Sequence, residues 1–392
     1  MMYAKQFCKT IHTKKEHAHM SYLGENIRKL GFGLMRLPML DSEVDIEQTK
    51  QMVDMFMEAG FTYFDTAYGY LGGKSEMAVK TALVERYPRE SFQLATKLPA
   101  WAGPKTAEEA RQMFYTSLER TGAGYFDFYL LHNLGNDRTH FFDDWKLWDF
   151  ALDLKKQGLI KHLGFSMHDS AEALEAILTA HPEAEFVQLQ INYADWESDS
   201  VQSRACYEVA RKHGKPIIIM EPVKGGNLAT LPESVAEVFT KANPGVSQSS
   251  WAMRYAASLD GLITVLSGMS NIEQMEDNLK TMRDFQPLTD AERGVIAEAV
   301  ARMNAIERIP CTACQYCVKD CPQQINIPGA FKAMNSLLVY GNQKSAKGSY
   351  KYATREGGKA ADCIGCGQCE SACPQHIDVI EQLKRCSEAF DE

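Results

Sequence analysis

The sequence has 392 residues and contains no uninterrupted apolar run of the length that a membrane span requires. Its start, residues 1–19, is polar and basic and lacks the apolar core of a secretory signal peptide. The sequence also lacks an excess of positive charge, since its formal net charge at pH 7 is -9. A negative balance argues against nucleic acids and anionic membrane surfaces as binding partners. We therefore expect a soluble protein whose partners are neither nucleic acids nor membranes.

What the sequence does contain is cysteine in a repeated spacing. Eight of the eleven cysteines form two copies of Cys-x-x-Cys-x-x-Cys-x-x-x-Cys-Pro. This spacing is typical of bacterial ferredoxins, in which each run gives three thiolates to one [4Fe-4S] cluster and its fourth to the other cluster. The pattern thus predicts two [4Fe-4S] clusters. The first predicted ligand set is Cys311, Cys314, Cys317 and Cys373, and the second is Cys321, Cys363, Cys366 and Cys369.

Zinc and disulfides are the alternatives for these cysteines. Zinc sites use four ligands in two pairs rather than a triplet plus one, and disulfide frameworks suit small secreted chains. The repeated spacing favours iron–sulfur clusters over both. Cys8, Cys206 and Cys386 lie outside the two runs and are expected to be buried or incidental thiols. Thiols and cluster ligands together predict a reducing, cytoplasmic location.

Between Ile27 and Lys280, short apolar runs alternate with helical patterns that end at a glycine, as Asp45–Ala59 does before Gly60. The predicted strands lie near Leu30–Leu37 and at Phe61–Asp65, Phe92–Lys97, Phe126–Leu131, Ile160–Phe165, Phe186–Gln190, Pro216–Met220 and Leu262–Leu266. Eight strands alternating with helices over about 250 residues predict a (β/α)8 TIM barrel, an α/β fold. An open doubly wound sheet is the alternative, but Gly31-Phe32-Gly33 is not followed by the third glycine of a dinucleotide-binding turn.

The alternation stops after Gln286, and the cysteine runs follow. Ile327–Val339 has a helical pattern, and Gly341–Gly358 is polar and rich in glycine. We therefore predict a small, mostly helical two-cluster ferredoxin-like domain after the barrel. The expected segments are residues 1–19 as a disordered leader or start artefact, 20–286 as the barrel, 287–308 as a linking helix, and 309–392 as the two-cluster domain.

Catalytic groups of TIM barrels lie at the carboxyl ends of the strands. The predicted strand ends carry Asp65, with Tyr70 shortly after it, then Lys97 and His132. A tyrosine with a pKa near 10 is a poor acid at neutral pH, and a neighbouring ammonium stabilises its phenolate and lowers that pKa. A carboxylate would hold the lysine in place, and a histidine donor can polarise a carbonyl oxygen. These four residues are the predicted catalytic tetrad.

From about Leu30 to Lys280 the sequence resembles the aldo-keto reductases. The resemblance is carried by Asp65-Thr-Ala-x-x-Tyr70, Gly72-Gly73-Lys74-Ser75-Glu76, Lys97 and Leu130-Leu131-His132. It implies that Tyr70 protonates the oxygen of a small-molecule carbonyl while a nicotinamide delivers hydride. The same residues would serve the reverse reaction, the oxidation of an alcohol. It also implies that Asp65 and Lys97 tune Tyr70 and that His132 orients the substrate. With the cysteine runs, the whole chain resembles the ferredoxin-fused branch of that family.

The same resemblance implies a set of residues that bind the nicotinamide cofactor. They are Ser166, Gln188 and Met220 for the nicotinamide ring, and Ser267, Gly268, Gln274 and Asn278 for the nucleotide. NADP-preferring members place Lys and Arg against the 2′-phosphate, where this sequence has Gly268 and Gln274. Without a cation most discrimination for a phosphate is lost, so the choice between NADP and NAD stays open. Lys224 is a candidate for a substitute charge.

Two functions from different classes are compatible with these residues. Hydride transfer moves two electrons, whereas an iron–sulfur cluster passes one at a time, so a flavin usually mediates between them. The first function is a nicotinamide-dependent oxidoreductase whose clusters exchange electrons with a redox protein partner or a further barrel cofactor such as a flavin. The second is an iron–sulfur electron carrier or redox sensor on a barrel with vestigial or flavin-mediated catalysis. The complete tetrad favours the first function. The second is favoured by departures from the family at the nicotinamide contacts, where Met167 follows Ser166 in place of asparagine and Met220 stands in place of an aromatic residue.

Overall fold

The structure is a computed structural model that describes Leu23, residues 25–319 and residues 321–391. The predicted leader, residues 1–19, lies outside the described residues, as does Cys8. Among the described helices, none combines the length and the apolar character that crossing a lipid bilayer requires.

The described residues form two compact units. The first, here called the barrel unit, contains the residues up to Val223 together with Ser250–Asp290. The second, here called the cysteine unit, contains Lys224–Ser249 together with the residues from Ala291 onward. Each unit has its own buried apolar core.

The barrel unit is built on a closed barrel of eight parallel strands. In chain order the strands are β1 (Gly31–Gly33), β2 (Met39–Leu40), β3 (Glu43–Val44), β4 (Tyr63–Asp65), β5 (Gln93–Leu98), β6 (Phe126–Leu134), β7 (Ile160–Met167), β8 (Phe186–Gln190), β9 (Ile217–Met220) and β10 (Leu262–Ser267). Strands β2 and β3 form a short antiparallel hairpin, and β1 closes the barrel by pairing with both β4 and β10. The predicted (β/α)8 barrel is confirmed. Its first strand is shorter than expected, because the chain leaves the sheet in a 3-10 turn at Leu34–Arg36.

The predicted helix Asp45–Ala59 corresponds to the first α-helix of the structure, which runs from Ile46 to Glu58. In chain order the α-helices are α1 (Ile46–Glu58), α2 (Lys74–Val79), α3 (Ala107–Thr121), α4 (Thr139–Asp144), α5 (Leu147–Lys156), α6 (Ala171–Ala180), α7 (Ser203–Lys212), α8 (Glu233–Ala242), α9 (Gln248–Ala257), α10 (Ile272–Met282), α11 (Asp290–Ala305), α12 (Tyr316–Lys319), α13 (Ile327–Tyr340), α14 (Gln343–Ala353), α15 (Gln368–Ser371) and α16 (Val379–Phe390). The Asp45 carboxylate accepts the Gln48 N–H at the start of α1, and Gly122 ends α3 with φ of 63°.

Strand register places the predicted site residues at one rim of the barrel. Within the barrel, Asp65 pairs with Ala95 of β5, and Ser166 of β7 pairs directly with Gln188 of β8. Because all eight strands are parallel, their carboxyl ends lie at the same rim. The other end of the barrel interior is filled by aromatic and branched side chains, among them Tyr63 and Phe128, whose ring centroids are 5.1 Å apart.

The cysteine unit is helical and packs around its own apolar core. Tyr350 of α14 stacks on Phe390 of α16 with ring centroids 4.8 Å apart. Helix α14 lies inside the segment that the sequence analysis described only as polar and glycine-rich. The sequence-based division also assigned Lys224–Ser249 to the barrel, whereas in the structure this segment packs within the cysteine unit, where Arg302 donates to the Ser234 carbonyl at 2.8 Å.

Candidate active site

Asp65 and Lys97 form a buried ion pair at the carboxyl ends of β4 and β5. Lys97 Nζ lies 2.5 Å from Asp65 Oδ1 and donates to the Thr66 carbonyl at 2.7 Å. The other carboxylate oxygen, Asp65 Oδ2, accepts a hydrogen bond from Gln188 Nε2 at 3.0 Å. Burial alone lowers the pKa of Lys97, but the neighbouring Asp65 and Tyr70 outweigh it and raise that pKa above its ordinary value. The lysine is therefore held as an ammonium at neutral pH.

Tyr70 begins a tight turn, Tyr70–Gly73, in the loop that follows β4. Leu71 and Gly72 within this turn have φ of 53° and 67°, which is the left-handed region, and the half-buried Tyr70 ring faces Lys97. Lys97 Nζ lies 4.7 Å from the centroid of that ring. Burial raises the pKa of Tyr70, Lys97 lowers it, and the net result is a pKa above the ordinary value of 10.0. Lys97 thus acts on the Tyr70 pKa in the predicted direction, and burial, which the sequence does not specify, outweighs it.

The glycine-rich segment after Tyr70 fixes the turn rather than contributing chemistry. Ser75 Oγ donates to the Leu34 carbonyl at 2.9 Å, and the fully buried Glu76 accepts from Thr96 Oγ1 at 2.8 Å. Arg120 bonds both to Glu76, at 3.3 Å, and to the Tyr68 carbonyl, at 3.0 Å. Sequence reasoning missed Arg120, since nothing in the pattern of α3 distinguishes it from a solvent-exposed cation.

His132 lies at the same rim, with its ring edge-on to Tyr70 at a centroid distance of 5.9 Å. Its carbonyl accepts a hydrogen bond from Trp101 Nε1 at 2.8 Å, and the Arg138 guanidinium lies 5.4 Å from the Trp101 ring centroid. His132 Nδ1 is buried and has no hydrogen-bond partner among the described residues. Burial, and then the Lys97 charge, lower the pKa of His132 well below 6.5, so the imidazole is neutral at pH 7. Trp101 and Arg138 were not identified from the sequence.

The residues predicted to contact the nicotinamide ring already have partners within the chain. Ser166 Oγ accepts a hydrogen bond from the Asn133 N–H at 2.9 Å, and Gln188 Nε2 is engaged by Asp65. Met220 ends β9 and is partly buried; Glu221 follows it with φ of 55°, an uncommon conformation for a residue with a side chain. The structure therefore brings Ser166 and Gln188 together, and each has one polar group already in use.

The predicted nucleotide-binding residues lie at the end of β10 and on the first turns of α10. Gln274 Oε1 accepts a hydrogen bond from the Ser270 N–H at 2.8 Å. Asn278 Nδ2 donates to the Gln274 carbonyl at 2.8 Å, but its Oδ1 is buried without a partner among the described residues. Such a buried acceptor can be satisfied by a water molecule or by a bound ligand. Lys224, the candidate substitute charge, lies in the cysteine unit, with its Nζ 5.7 Å from the Tyr340 ring centroid.

The eight cysteines line two cavities in the cysteine unit, with four thiols in each. One cavity, of about 330 Å³, is lined by Cys311, Cys314, Cys317 and Cys373. The other, of about 320 Å³, is lined by Cys321, Cys363, Cys366 and Cys369. Each cavity thus takes three cysteines from one run and the fourth from the other run. Four thiols around a cavity with apolar walls fit the ligand set of a four-iron cluster.

The structure combines an eight-stranded barrel with a helical cysteine unit, and comparison with known proteins identifies the family. Residues 29–301 match the profile of the Aldo/keto reductase family, and residues 310–377 match that of a 4Fe-4S dicluster domain. The chain belongs to the aldo/keto reductase family. The predicted family and the predicted ferredoxin-like domain are therefore both confirmed.

Relatives from several organisms share the barrel part of the sequence. A 9,11-endoperoxide prostaglandin H2 reductase from Trypanosoma cruzi is 26% identical over 275 residues, which cover 69% of this chain and 87% of that protein. An aldo-keto reductase from Mycolicibacterium smegmatis is 31% identical over 144 residues, which cover 36% of this chain and 47% of that protein. The match thus spans slightly less than half the length of the mycobacterial relative.

Solved structures share the barrel fold. The holo form of an aldo-keto reductase from Bacillus halodurans is 24% identical, with a TM-score of 0.55 and coverage of 74% of this chain and 96% of that one. An aldo-keto reductase from Klebsiella pneumoniae in complex with NADPH is 19% identical, with a TM-score of 0.54 and coverage of 69% and 90%. At these identities the likeness establishes the fold.

Proposed function

We propose that this protein reduces a small-molecule carbonyl compound, or oxidises the corresponding alcohol, with a nicotinamide cofactor. The observation that carries the proposal is the meeting of Tyr70, Lys97, Asp65 and His132 at the carboxyl rim of the barrel. These side chains come from three different strands and one loop. The arrangement places a phenol, an ammonium, a carboxylate and a neutral imidazole next to one another at this rim.

The cofactor would supply the hydride, and the chain's own residues would handle the proton and the substrate. The Tyr70 hydroxyl carries its proton at neutral pH and can give it to the carbonyl oxygen, although burial raises its pKa and so makes it a weaker acid. Lys97 limits that rise and stabilises the phenolate that remains after proton donation. Asp65 holds the ammonium in position. The neutral His132 donates a hydrogen bond that orients and polarises the carbonyl.

The residues proposed to hold the nicotinamide cofactor remain those that the family resemblance implies. They are Ser166, Gln188, Met220, Ser267, Gly268, Gln274 and Asn278. Support comes from the unpartnered Asn278 Oδ1 and from the position of all seven at the carboxyl rim or directly after it. The Klebsiella pneumoniae protein of the same fold was solved in complex with NADPH.

We further propose that the two cavities of the cysteine unit hold two [4Fe-4S] clusters. Burial raises the pKa of the Cys317 thiol to about 11, so iron must displace a proton when the thiolate ligand forms. The clusters would pass single electrons to a redox protein partner, with a flavin as mediator to the two-electron chemistry of the barrel. Such clusters and free thiols are suited to the reducing cytoplasm.

A second candidate function is that of an iron–sulfur electron carrier or redox sensor on a catalytically inactive barrel. Ser166 and Gln188 favour it, because each already uses a polar group to bond another part of the chain. Under this alternative Gln188 is a structural partner of Asp65, and the tetrad is an inherited scaffold.

Nicotinamide titration of the anaerobically purified full-length protein separates the two functions. We expect NADPH or NADH fluorescence to change saturably on binding, and a model aldehyde to be reduced at the expense of the bound cofactor. The visible spectrum of the same sample reports the clusters, and a flavin band beside them would identify the mediator. If neither nicotinamide binds while the clusters are reduced and reoxidised by a protein partner, the electron-carrier function is correct.

A further inference from the structure

The nucleotide-binding segment of this chain lacks the cation that would recognise a phosphate. Gly268 carries no side chain, and Gln274 uses its side-chain oxygen to accept the Ser270 N–H at 2.8 Å. Glu273, exposed in the first turn of α10, brings a negative charge that opposes an anion. A positive group from another part of the barrel is therefore needed if a phosphate is to be bound here.

The closure of the barrel brings the loop after β1 against this segment. Phe32 of β1 pairs with Ser267 of β10, and a Cβ at Gly33 would lie 3.4 Å from the Ser267 carbonyl oxygen. The turn Leu34–Arg36 follows at once, so it leaves the sheet beside the end of β10. The loop that follows the first strand of the barrel thus lies beside the nucleotide-binding segment.

Arg36 lies directly over Gly268. A Cβ placed on Gly268 would meet Arg36 Cδ at 3.3 Å and Arg36 Cβ and Cγ at 3.5 Å. The aliphatic part of the arginine therefore fills the space that the glycine leaves open. A lysine or arginine at position 268 would compete with Arg36 for that space, so the glycine and the arginine complement each other.

The Arg36 guanidinium has no bonding partner within the described part of the chain. Arg36 is exposed, and none of the described residues forms a hydrogen bond, an ion pair or a ring contact with its guanidinium. A guanidinium has five N–H donors in a planar arrangement that matches a phosphate. Asn278 Oδ1, buried on α10 without a partner among the described residues, is a second polar group of this segment that a bound nucleotide would satisfy.

We propose that Arg36 supplies the phosphate-binding cation of the cofactor site and makes the protein selective for the 2′-phosphorylated dinucleotide, NADPH, over NADH. This inference rests on the nicotinamide-dependent function proposed above. It assigns phosphate recognition to the loop after β1, because Gly268 and Gln274 carry no cation. It also replaces Lys224 as the source of the charge.

The test compares dissociation constants of NADPH and NADH for the full-length protein and three variants, measured by fluorescence titration. Arg36→Gln should weaken NADPH binding roughly 10- to 100-fold, the range expected for losing a hydrogen-bonded charge pair, and leave NADH binding unchanged. Arg36→Lys should keep most of the preference, because the charge remains. Lys156→Gln is the control, since it removes one positive charge from an exposed helix end just before β7, at the opposite rim. Circular dichroism confirms that each variant is folded.

Two outcomes would overturn the proposed role of Arg36 and leave the proposed function of the protein intact. Unchanged NADPH binding in Arg36→Gln would show that the guanidinium does not contact the cofactor. Equal weakening of NADPH and NADH would show that it binds the phosphates that both cofactors share, and that it does not select between them. If the unaltered protein binds neither nicotinamide, the proposed function fails, and this inference fails with it.

Discussion

Gln188 Nε2 donates a hydrogen bond to Asp65 Oδ2 at 3.0 Å, across 123 positions of sequence. Because Lys97 occupies Oδ1 of the same carboxylate, both oxygens of Asp65 have partners. All three side chains are buried. A buried carboxylate that is fully hydrogen-bonded cannot rotate freely, so Gln188 helps to fix the lysine that faces Tyr70.

This relationship predicts a stability effect at Gln188. Gln188→Leu keeps the volume of the side chain but leaves Asp65 Oδ2 buried without a donor, which costs about 1–3 kcal/mol. Urea denaturation should show this loss for Gln188→Leu and none for Gln112→Leu, a control on the exposed face of α3. Unchanged stability combined with weaker nicotinamide binding would instead make Gln188 a cofactor contact with no positioning role.

Removal of the Tyr70 hydroxyl tests the proposed proton donor. Tyr70→Phe keeps the ring beside Lys97 but removes the hydroxyl. It should lower the reduction rate of a model aldehyde by roughly 10²- to 10⁴-fold, which is the usual rate enhancement from a positioned general acid. Nicotinamide affinity should change little. Tyr68→Phe is the matched control, because its ring packs against Arg120, 4.4 Å from the guanidinium carbon, and has no proposed chemical role. Equal rates for the two variants would remove Tyr70 from the mechanism.

Much of the fold follows from sequence because its signals are local. Alternating apolar runs and capping residues such as Asp45 and Gly122 mark the helices and strands that close the barrel. Helix α14 was not predicted, since its apolar face consists of little more than Ala346 and Tyr350, four positions apart. Between them and around them the segment is polar, so the sequence pattern resembled a loop.

The positions of the proposed site residues were predictable where a residue lies near the end of its own strand, and not where two distant segments meet. Lys97 and His132 were identified because barrel chemistry concentrates at strand ends. The contact between Arg36 and Gly268 depends on the register between the first and last strands, which no local pattern specifies. The net pKa of Tyr70 could not be predicted from sequence for a related reason, because burial is a property of the packed barrel.

The carboxylate of Glu185, which directly precedes β8, predicts how barrel stability depends on pH. Burial alone raises the pKa of Glu185, but hydrogen bonds from His162, Lys155 and the Leu163 N–H outweigh it and lower the pKa to about 2. Lys155 Nζ lies 2.6 Å from Glu185 Oε2, and the Leu163 N–H donates to the same oxygen at 2.8 Å. A depressed pKa means that this stabilisation is complete above about 4.5, the ordinary value, and is lost as the pH falls toward 2.

Glu185→Gln should therefore reduce the free energy of unfolding by about 1–2 kcal/mol at pH 7, after allowance for partial exposure of the carboxylate. The difference from the unaltered protein should shrink between pH 4.5 and pH 3, as measured by urea denaturation at each pH. Asp153→Asn, which breaks an exposed ion pair with Lys156, should have no comparable effect. A difference that stays constant down to pH 3 would contradict the depressed pKa.

The two cavities predict that cysteines from different runs serve the same cluster. Cys373 belongs to the second run by sequence but lines the cavity of Cys311, Cys314 and Cys317. Cys373→Ala should therefore damage the same cluster as Cys314→Ala. Cys386→Ala is the control, because Cys386 is buried outside both cavities and its Sγ contacts the Ala330 carbonyl oxygen at 3.8 Å.

Iron content of double variants separates this pairing from the simpler one in which each run serves its own cluster. A chain with two four-iron clusters holds about eight iron ions, so loss of one cluster leaves about four. The crossed pairing predicts that Cys314→Ala combined with Cys373→Ala still leaves about four, because both changes affect one cluster. It predicts that Cys366→Ala combined with Cys373→Ala leaves almost none, because each change then affects a different cluster. The reverse result, measured after anaerobic reconstitution, would show that each run keeps its fourth cysteine for its own cluster.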